Sequence, residues 1–221
     1  IQMGEDPSRV FNSGAPGIDN IVNLDLLSKD KLEENLDWKF SSKSALFTYH
    51  PVTLGKNDIP RDLKVILNVL IKTNINVLFT YANADNGGRF INQKIEEFCR
   101  LDPIKYKVVK SLGQLKYLSA MKHTDLLIGN TSSGIIEAAS FGKPVVNIGD
   151  RQKGRLKGNN VIDCNLDTLE SSINLAISGD FKEISQNTHN IYGVGIASDI
   201  ILNELVEQEV FVTKKFIDSI P

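Results

Sequence analysis

Three hydroxyl-bearing residues and a glycine closely follow an apolar run near the middle of the chain. Thr131, Ser132, Ser133 and Gly134 come after the apolar residues 126–128, and a helical pattern begins at this point. The first N–H groups of a helix have no partner within the helix, and the helix dipole adds partial positive charge there. Such a segment favours a phosphate group. The pattern therefore predicts a phosphate site, with helix capping by one of the hydroxyls as the alternative.

One carboxylate, Glu137, lies a turn further into the same helical pattern. A carboxylate repels a phosphate, but it can accept two hydrogen bonds from the hydroxyl pair of a ribose. The alternative is that Glu137 only complements the dipole of its helix. Hydroxyls for phosphate and an acid for ribose, taken together, predict a nucleotide site.

The elements that must position these residues form a regular alternation of strands and helices. Short β-rich runs predict strands at 45–49, 76–80, 106–109, 125–128, 144–147 and 160–163. Between them, apolar residues at helical spacing predict helices at 60–72, 89–100, 113–122, 133–141 and 166–177. Two further helices are predicted at 16–36 and 195–210. The alternation predicts an α/β fold with a Rossmann-like, doubly wound parallel sheet and right-handed crossovers.

Ligands of such sheets bind at the carboxyl ends of the strands, near the point where the strand order reverses. His50 directly follows the first predicted strand, so we expect it at the mouth of the site. Asn83, Asp85 and Arg89 follow the second strand. These three are candidates for the sugar side of a ligand, and ordinary turn chemistry is the alternative.

Composition excludes several other classes of protein. The chain has 221 residues with 41% apolar and 24% charged residues, which argues against disorder, and its formal net charge of −2 predicts no nucleic-acid partner. No apolar run approaches the ~20 residues of a membrane span. The two cysteines lie far apart, so we expect no metal, no cofactor and a reducing, cytoplasmic setting. The chain opens at Ile1, and we expect it to be part of a longer protein.

Several longer motifs resemble the C-terminal portion of the hydrolysing UDP-N-acetylglucosamine 2-epimerases of sialic acid biosynthesis. They are GNTSSGIIEAASFGKPVVNIGDRQKGR from Gly129, HPVT at 50–53, NADNGGRFIN at 83–92, YGVGIAS at 192–198 and the opening MGEDPSRVFNSGAPGIDNI. This resemblance implies the C-terminal half of a two-domain fold like that of type-B glycosyltransferases. It would divide the chain into the tail of an N-terminal domain and a linker (1–40), a UDP-binding domain (41–190) and a C-terminal helix that packs back (191–221).

The resemblance also implies a role for each candidate residue. Thr131, Ser132, Ser133 and Gly134 would hold the diphosphate, with Arg151 and His50 beside it, and Glu137 would hold the ribose. The loop containing Ser111 and Leu112 would frame the uracil through backbone groups. Thr131 departs from the family pattern, in which serine is common at this position.

The implied reaction converts UDP-N-acetylglucosamine and water into N-acetylmannosamine and UDP. The base that acts on sugar C2 would lie in the missing N-terminal domain, so we expect this chain to be inactive alone. The resemblance is also compatible with a homodimer of the full-length protein, and the sequence itself leaves the oligomeric state open. Four alternatives stay open: a hydrolysing epimerase for a UDP-2,4-diacetamido-6-deoxy sugar, a non-hydrolysing epimerase, a type-B glycosyltransferase, and a non-catalytic nucleotide-binding module.

Overall fold

The structure is a computed structural model that describes residues 1–52 and 58–209. Thr53 of the HPVT motif and the end of the predicted C-terminal helix at residue 210 lie outside the described residues. The chain divides into two compact units. One comprises Leu24–Ile191, and the other comprises Ile1–Asn23 with the described residues from Tyr192 onward.

The larger unit is built on a parallel sheet, as predicted. Its described strands are β1 (Ser44–Thr48), β2 (Asn76–Thr80), β3 (Tyr106–Val109), β4 (Leu126–Gly129), β5 (Val145–Ile148) and β6 (Val161–Cys164). They lie in the order β3-β2-β1-β4-β5-β6, and every neighbouring pair is parallel. This order confirms the Rossmann-like, doubly wound fold.

Helices cover both faces of this sheet. The described helices of the chain are α1 (Pro16–Asn23), α2 (Lys29–Leu36), α3 (Ile59–Thr73), α4 (Gly88–Cys99), α5 (Gly113–His123), α6 (Ser132–Ile136), α7 (Leu169–Ala176), α8 (Gly179–Gln186) and α9 (Ala197–Glu207). Two short 3-10 helices occupy Pro7–Arg9 and Ala138–Phe141. None of the helices in the described ranges is long and apolar enough to cross a bilayer.

Alternation along the strands separates two apolar layers. Phe47 and Phe79 point into one layer, which contains residues of α3, α4 and α7. Leu46 and Leu78 point into the other, which contains residues of α2 and α5. Because successive side chains of a strand face opposite sides, each strand contributes to both layers.

The predicted helix at 16–36 is wrong as a single element. It is two helices in different units, because Ser28 starts a new helix by accepting a hydrogen bond from the N–H of Lys31 at 3.4 Å. Leu32 and Leu36 of α2, with Trp38 and Phe40, are buried in the second apolar layer.

The other differences are local. The predicted helix at 133–141 is divided into α6 and the 3-10 helix Ala138–Phe141, which ends at Gly142 with φ of +60°. α8 was not predicted from the sequence. It begins where Ser178 accepts from the N–H of Phe181 at 3.3 Å. In the smaller unit, the carboxylate of Asp19 accepts hydrogen bonds from the N–H groups of Ala197 and Ser198 at 3.0 and 2.7 Å, which caps α9.

Candidate functional site

The site lies at the carboxyl ends of β1 and β4, which are neighbours at the point where the strand order reverses. Thr48 pairs with Gly129 at the ends of these strands. A Cβ atom on Gly129 would lie 1.9 Å from the carbonyl oxygen of Thr48, and its φ is +141°. Glycine at this position therefore allows the two strand ends to approach closely, which brings the residues that follow them together.

The side-chain amide of Asn130 joins the two chain segments that leave the strands. Its Oδ1 accepts from the N–H of His50 at 2.7 Å, and its Nδ2 donates to the carbonyl of His50 at 2.8 Å. The backbone N–H of Asn130 donates to the carbonyl of Thr48 at 3.1 Å. Asn130 is 0% exposed. The amide thus continues the pairing of the two strands by one further pair of hydrogen bonds.

The imidazole of His50 is oriented by the loop that follows β2. Its Nδ1 accepts from the backbone N–H of Asn83 at 3.1 Å, so Nδ1 carries no proton and the neutral ring has its proton on Nε2. Burial lowers the pKa of His50 below its ordinary value, and the charge of Arg151 acts in the same direction, while Asp85 opposes them. The structure therefore favours a neutral imidazole that can donate from Nε2.

The loop after β5 brings a guanidinium to the same place. Arg151 Nη1 and Gln152 Nε2 both donate to the backbone carbonyl of Asn130, at 3.2 and 2.8 Å. Gln152 is buried, whereas Arg151 is exposed. The structure thus places a cation beside the loop after β4, as a site for an anion requires.

The residues after β2 combine turn chemistry with a contact to the site. Asn83 Nδ2 donates to Asp85 Oδ2 at 2.6 Å, and the N–H of Gly88 donates to the carbonyl of Asp85 at 2.8 Å. The backbone of Asn83, rather than its side chain, contacts His50. Arg89 is exposed in the first turn of α4. A sugar-side role for Asn83, Asp85 and Arg89 stays a prediction.

The segment after β4 presents hydroxyls at the start of α6. Thr131 caps this helix, since its Oγ1 accepts from the N–H of Ser133 at 3.4 Å. Ser132 and Ser133 are half-buried and Gly134 is buried, because a Cβ there would lie 2.9 Å from a methyl group of Val145. α6 has only five residues, which is shorter than predicted.

Glu137 directly follows α6 as its C-cap residue, one turn after these hydroxyls, and is half-buried. Burial raises the pKa of its carboxyl group, and hydrogen bonding by the Ser133 side chain opposes this effect. The backbone N–H of Glu137 donates to the carbonyl of Ser133 at 2.9 Å, and a ribose-binding role for its carboxylate stays a prediction.

The loop containing Ser111 and Leu112, which is predicted to frame the uracil, is anchored by the apolar core. The side chain of Leu112 is buried in the second apolar layer, and Ser111 is exposed, with its Oγ accepting from the N–H of Gly113 at 3.3 Å. Because the Leu112 side chain is taken up by the core, a ligand could meet this residue only through its backbone.

Three residues near the site were not singled out from the sequence. Asn130 and Gln152 hold its parts together, as described above. Tyr117 of α5 is the third. Burial raises the pKa of its hydroxyl, and hydrogen bonding by Ser133, Thr48 and Thr131 opposes this. The sequence signal for Asn130 was its position directly after a strand end, and Tyr117 offered only a polar tip within a helical pattern.

The strand order and a site at the reversal point define a Rossmann-like α/β domain. The chain belongs to the UDP-N-acetylglucosamine 2-epimerase family, whose model matches residues 1–206.

Curated relatives support the same assignment. The chain is 40% identical over 184 residues to the GDP/UDP-N,N'-diacetylbacillosamine 2-epimerase (hydrolyzing) of Campylobacter jejuni, covering 83% of this chain and 48% of that protein. It is 31% identical over 199 residues to the UDP-N,N'-diacetylbacillosamine 2-epimerase (hydrolyzing) of Legionella pneumophila, covering 90% and 52%. It is 34% identical to the polysialic acid biosynthesis protein P7 of Escherichia coli, covering 87% and 49%. The chain thus spans about half the length of the curated relatives it matches.

Solved structures share the fold. A UDP-GlcNAc 2-epimerase from Neisseria meningitidis bound to UDP-GlcNAc superposes with a TM-score of 0.75 at 19% identity, covering 92% of this chain and 57% of that one. A UDP-GlcNAc 2-epimerase from Methanocaldococcus jannaschii in complex with UDP-GlcNAc and UDP gives a TM-score of 0.68 at 14% identity, covering 92% and 56%.

Proposed function

We propose that this chain is the UDP-binding half of a hydrolysing UDP-sugar 2-epimerase. The observation that carries the proposal is the joining of His50, Asn130 and Arg151 at the ends of β1 and β4 by direct hydrogen bonds. These bonds support a site in which the His50 imidazole and the Arg151 guanidinium act with the hydroxyl segment of α6 on a diphosphate.

Each part of UDP has a candidate partner. Thr131, Ser132, Ser133 and Gly134 hold the diphosphate, with Arg151 supplying the positive charge. Glu137, as a carboxylate, accepts from the ribose hydroxyls. The backbone at Ser111 and Leu112 borders the uracil.

This half of the enzyme stabilises the leaving group of the reaction. When the proton at sugar C2 is removed, its bonding electrons form a C1=C2 double bond, the bond from C1 to the diphosphate oxygen breaks, and negative charge develops on the departing UDP. Water then adds to the resulting glycal and gives the free 2-epimerised sugar. The His50 Nε2–H group and Arg151 stabilise that charge. The base at C2 belongs to the remaining half of the full-length protein, so the isolated chain binds UDP weakly and turns over no substrate.

Two sugars are candidates. The first is UDP-N-acetylglucosamine, which would give N-acetylmannosamine for sialic acid synthesis, and the polysialic acid protein among the relatives supports it. The second is a UDP-2,4-diacetamido-6-deoxy sugar. It is supported by the relatives named for diacetylbacillosamine, at 40% and 31% identity, against 26% for the Neisseria meningitidis UDP-N-acetylglucosamine 2-epimerase. We further propose that the full-length enzyme acts in the cytoplasm as a homodimer.

Calorimetry on this chain tests the nucleotide site. We expect UDP to bind in the millimolar to micromolar range, and a concentration of 100 times its Kd should add about 2.7 kcal/mol to stability. UMP, which lacks one phosphate, should bind at least about tenfold more weakly. GDP is the matched comparison for the base, because one relative is named for both GDP and UDP. No heat and no thermal shift with UDP at 10 times the upper end of that range, roughly tens of millimolar, would contradict the proposal.

Product analysis on the full-length protein tests the reaction and the sugar. Incubation with each UDP-sugar should release UDP and a free 2-epimerised sugar from one of them. Retention of UDP on the product would indicate a non-hydrolysing epimerase, and transfer to an acceptor would indicate a glycosyltransferase.

A further inference from the structure

Asn130 is a buried polar residue at the carboxyl ends of two strands, and its side chain has no reactive group. It is buried at the junction of β1 and β4, and its side chain uses both of its functional atoms on the backbone of one residue, His50. Such a pair of hydrogen bonds fixes the peptide groups on both sides of His50, which restricts the direction in which its imidazole leaves the chain.

The backbone carbonyl of the same residue holds the other candidate group. Arg151 donates to it at 3.2 Å, and Gln152 donates at 2.8 Å. The side chain of Asn130 therefore holds the backbone of His50, and its main-chain carbonyl accepts from the guanidinium of Arg151. A single buried residue sets the separation of the two groups.

The free-energy penalty of burying a polar amide indicates the role of Asn130. A buried amide destabilises the protein unless each of its polar atoms has a partner. Asn130 has partners for Oδ1, Nδ2, its N–H and its carbonyl. Strand ends can be closed by backbone hydrogen bonds alone, so a satisfied amide here indicates positioning of the loop that carries His50.

We propose that Asn130 is a positioning residue that holds His50 and Arg151 at the separation required by one diphosphate group. The inference deepens the proposed function and rests on it for the identity of the ligand. Asn130 itself contacts no substrate in this proposal. It acts through the imidazole, whose Nδ1 stays bound to Asn83 only while the His50 backbone is fixed.

The variant Asn130→Ala tests this without adding charge. The ring nitrogens of His50 are read by nitrogen-15 NMR of the chain, and UDP affinity is read by calorimetry. We expect the wild-type ring to be the Nε2–H tautomer at neutral pH. In the variant, we expect a mixture of tautomers, a His50 pKa closer to its ordinary value, and UDP binding weaker by about tenfold, since one hydrogen-bonded orientation is lost. Arg151 and Asp85, the charged groups that face the ring, are unchanged in the variant.

Asn160→Ala is the matched control. Asn160 is equally buried, and its Nδ2 donates to the carbonyl of Lys143 at 2.9 Å, at the opposite edge of the sheet. We expect a smaller loss of thermal stability, because Asn160 Oδ1 has no hydrogen-bond partner among the described residues, and we expect the His50 spectrum and UDP affinity to stay unchanged. The proposal is overturned if both variants alter His50 alike, or if Asn130→Ala alters neither the ring nor the affinity.

Hydrogen exchange on the wild-type chain gives an answer even if the variant fails to fold. The His50 amide lies beyond the end of β1 and should nevertheless exchange slowly, because Asn130 Oδ1 accepts from it. Exchange as fast as in exposed loops would overturn the inference. If the wild-type chain does not bind UDP but the ring responds to Asn130→Ala, the proposed function fails while the positioning role stands.

Discussion

The two edges of the sheet both bury polar side chains, but they use them for different purposes. At the amino edge, before β4, Asp125 Oδ2 accepts from the N–H and hydroxyl of Ser44 at 2.8 and 3.2 Å, and Oδ1 accepts from Lys182 at 3.1 Å. These groups satisfy one another. At the carboxyl edge, Asn130 is satisfied by backbone, and the groups it holds, His50 and Arg151, keep donors for a ligand.

The difference shows how one sheet separates stability from function. Polar groups such as Asp125, Ser44 and Lys182, whose side-chain bonds in the described part of the chain are all to one another, stabilise the fold and leave no group held for a ligand. A bonded side chain such as that of Asn130 can instead hold a neighbouring residue in place while the side chain of that residue keeps donors for a ligand. Substitutions at the amino edge should therefore change stability alone, and substitutions at the carboxyl edge should separate stability from binding.

The largest expected effect is at the strand contact beneath the site. In Gly129→Ala, the new methyl group would meet the Thr48 carbonyl at 1.9 Å, in a backbone conformation with φ of +141°. We expect a loss of about 3 kcal/mol or more in the free energy of unfolding, measured by urea denaturation. Gly149→Ala is the control, because φ there is +70° but no atom lies within 4 Å of a new Cβ. Backbone strain alone should cost Gly149→Ala about 1 kcal/mol. Equal losses in the two variants would show that contact with the Thr48 carbonyl does not determine the loss in Gly129→Ala.

The next effect concerns the amino edge. Asp125→Ala leaves the N–H and hydroxyl of Ser44, which is 1% exposed, without their acceptor. Hydrogen bonds to a charged group contribute about 1.5–3 kcal/mol, so we expect a loss of about 2 kcal/mol in stability. UDP affinity should stay within twofold of the wild type. A variant of unchanged stability, or one with greatly weakened UDP binding, would contradict the division between the two edges.

Arg151→Gln should give the reverse result. Arg151 is exposed, so its removal should change the free energy of unfolding by less than about 0.5 kcal/mol. Loss of its charge should weaken UDP binding by about tenfold, or about 1.4 kcal/mol, measured by calorimetry. Lys153→Gln removes the same charge from an exposed position in the same loop and should weaken binding much less. Equal effects would mean that the loop attracts UDP only by its general charge.

The sequence was sufficient to predict the parallel sheet and the meeting of the segments that follow β1 and β4. The strands are short runs that mostly alternate with helical patterns, and the residues that follow β1 and β4 meet because parallel strands end at a common edge. Both the apolar runs and the residues that follow them are local features of the sequence, so they can be identified without knowledge of the tertiary structure.

The contacts that organise the site are not local. Asn130 and His50 are 80 residues apart in the chain, and the partner of a buried amide cannot be read from its own neighbours. The break between α1 and α2 was missed for a related reason, since apolar spacing continues through residues 24–28 while Ser28 caps a new helix. The tautomer of His50 is also set by a group distant in the chain, the backbone N–H of Asn83, and the sequence therefore did not predict it.

The smallest expected effect concerns the ribose and depends on pH. Glu137 must be ionised to accept from two ribose hydroxyls, and burial raises its pKa above the ordinary value. The carboxyl group therefore gains its proton at a higher pH than an exposed glutamate does, and UDP affinity should fall as the pH is lowered through that raised pKa. Because the folded state favours the protonated form, the raised pKa makes the ionised Glu137 destabilising at neutral pH, and this destabilisation is relieved on acidification.

The Glu137→Gln variant tests this role. It should weaken UDP binding by about 1 kcal/mol at neutral pH, since one acceptor remains, and it should remove this component of the pH dependence. Calorimetry with UDP and 2'-deoxy-UDP from neutral to mildly acidic pH measures both effects. If the wild type and Glu137→Gln discriminate equally between the two nucleotides, Glu137 serves its helix rather than the ribose.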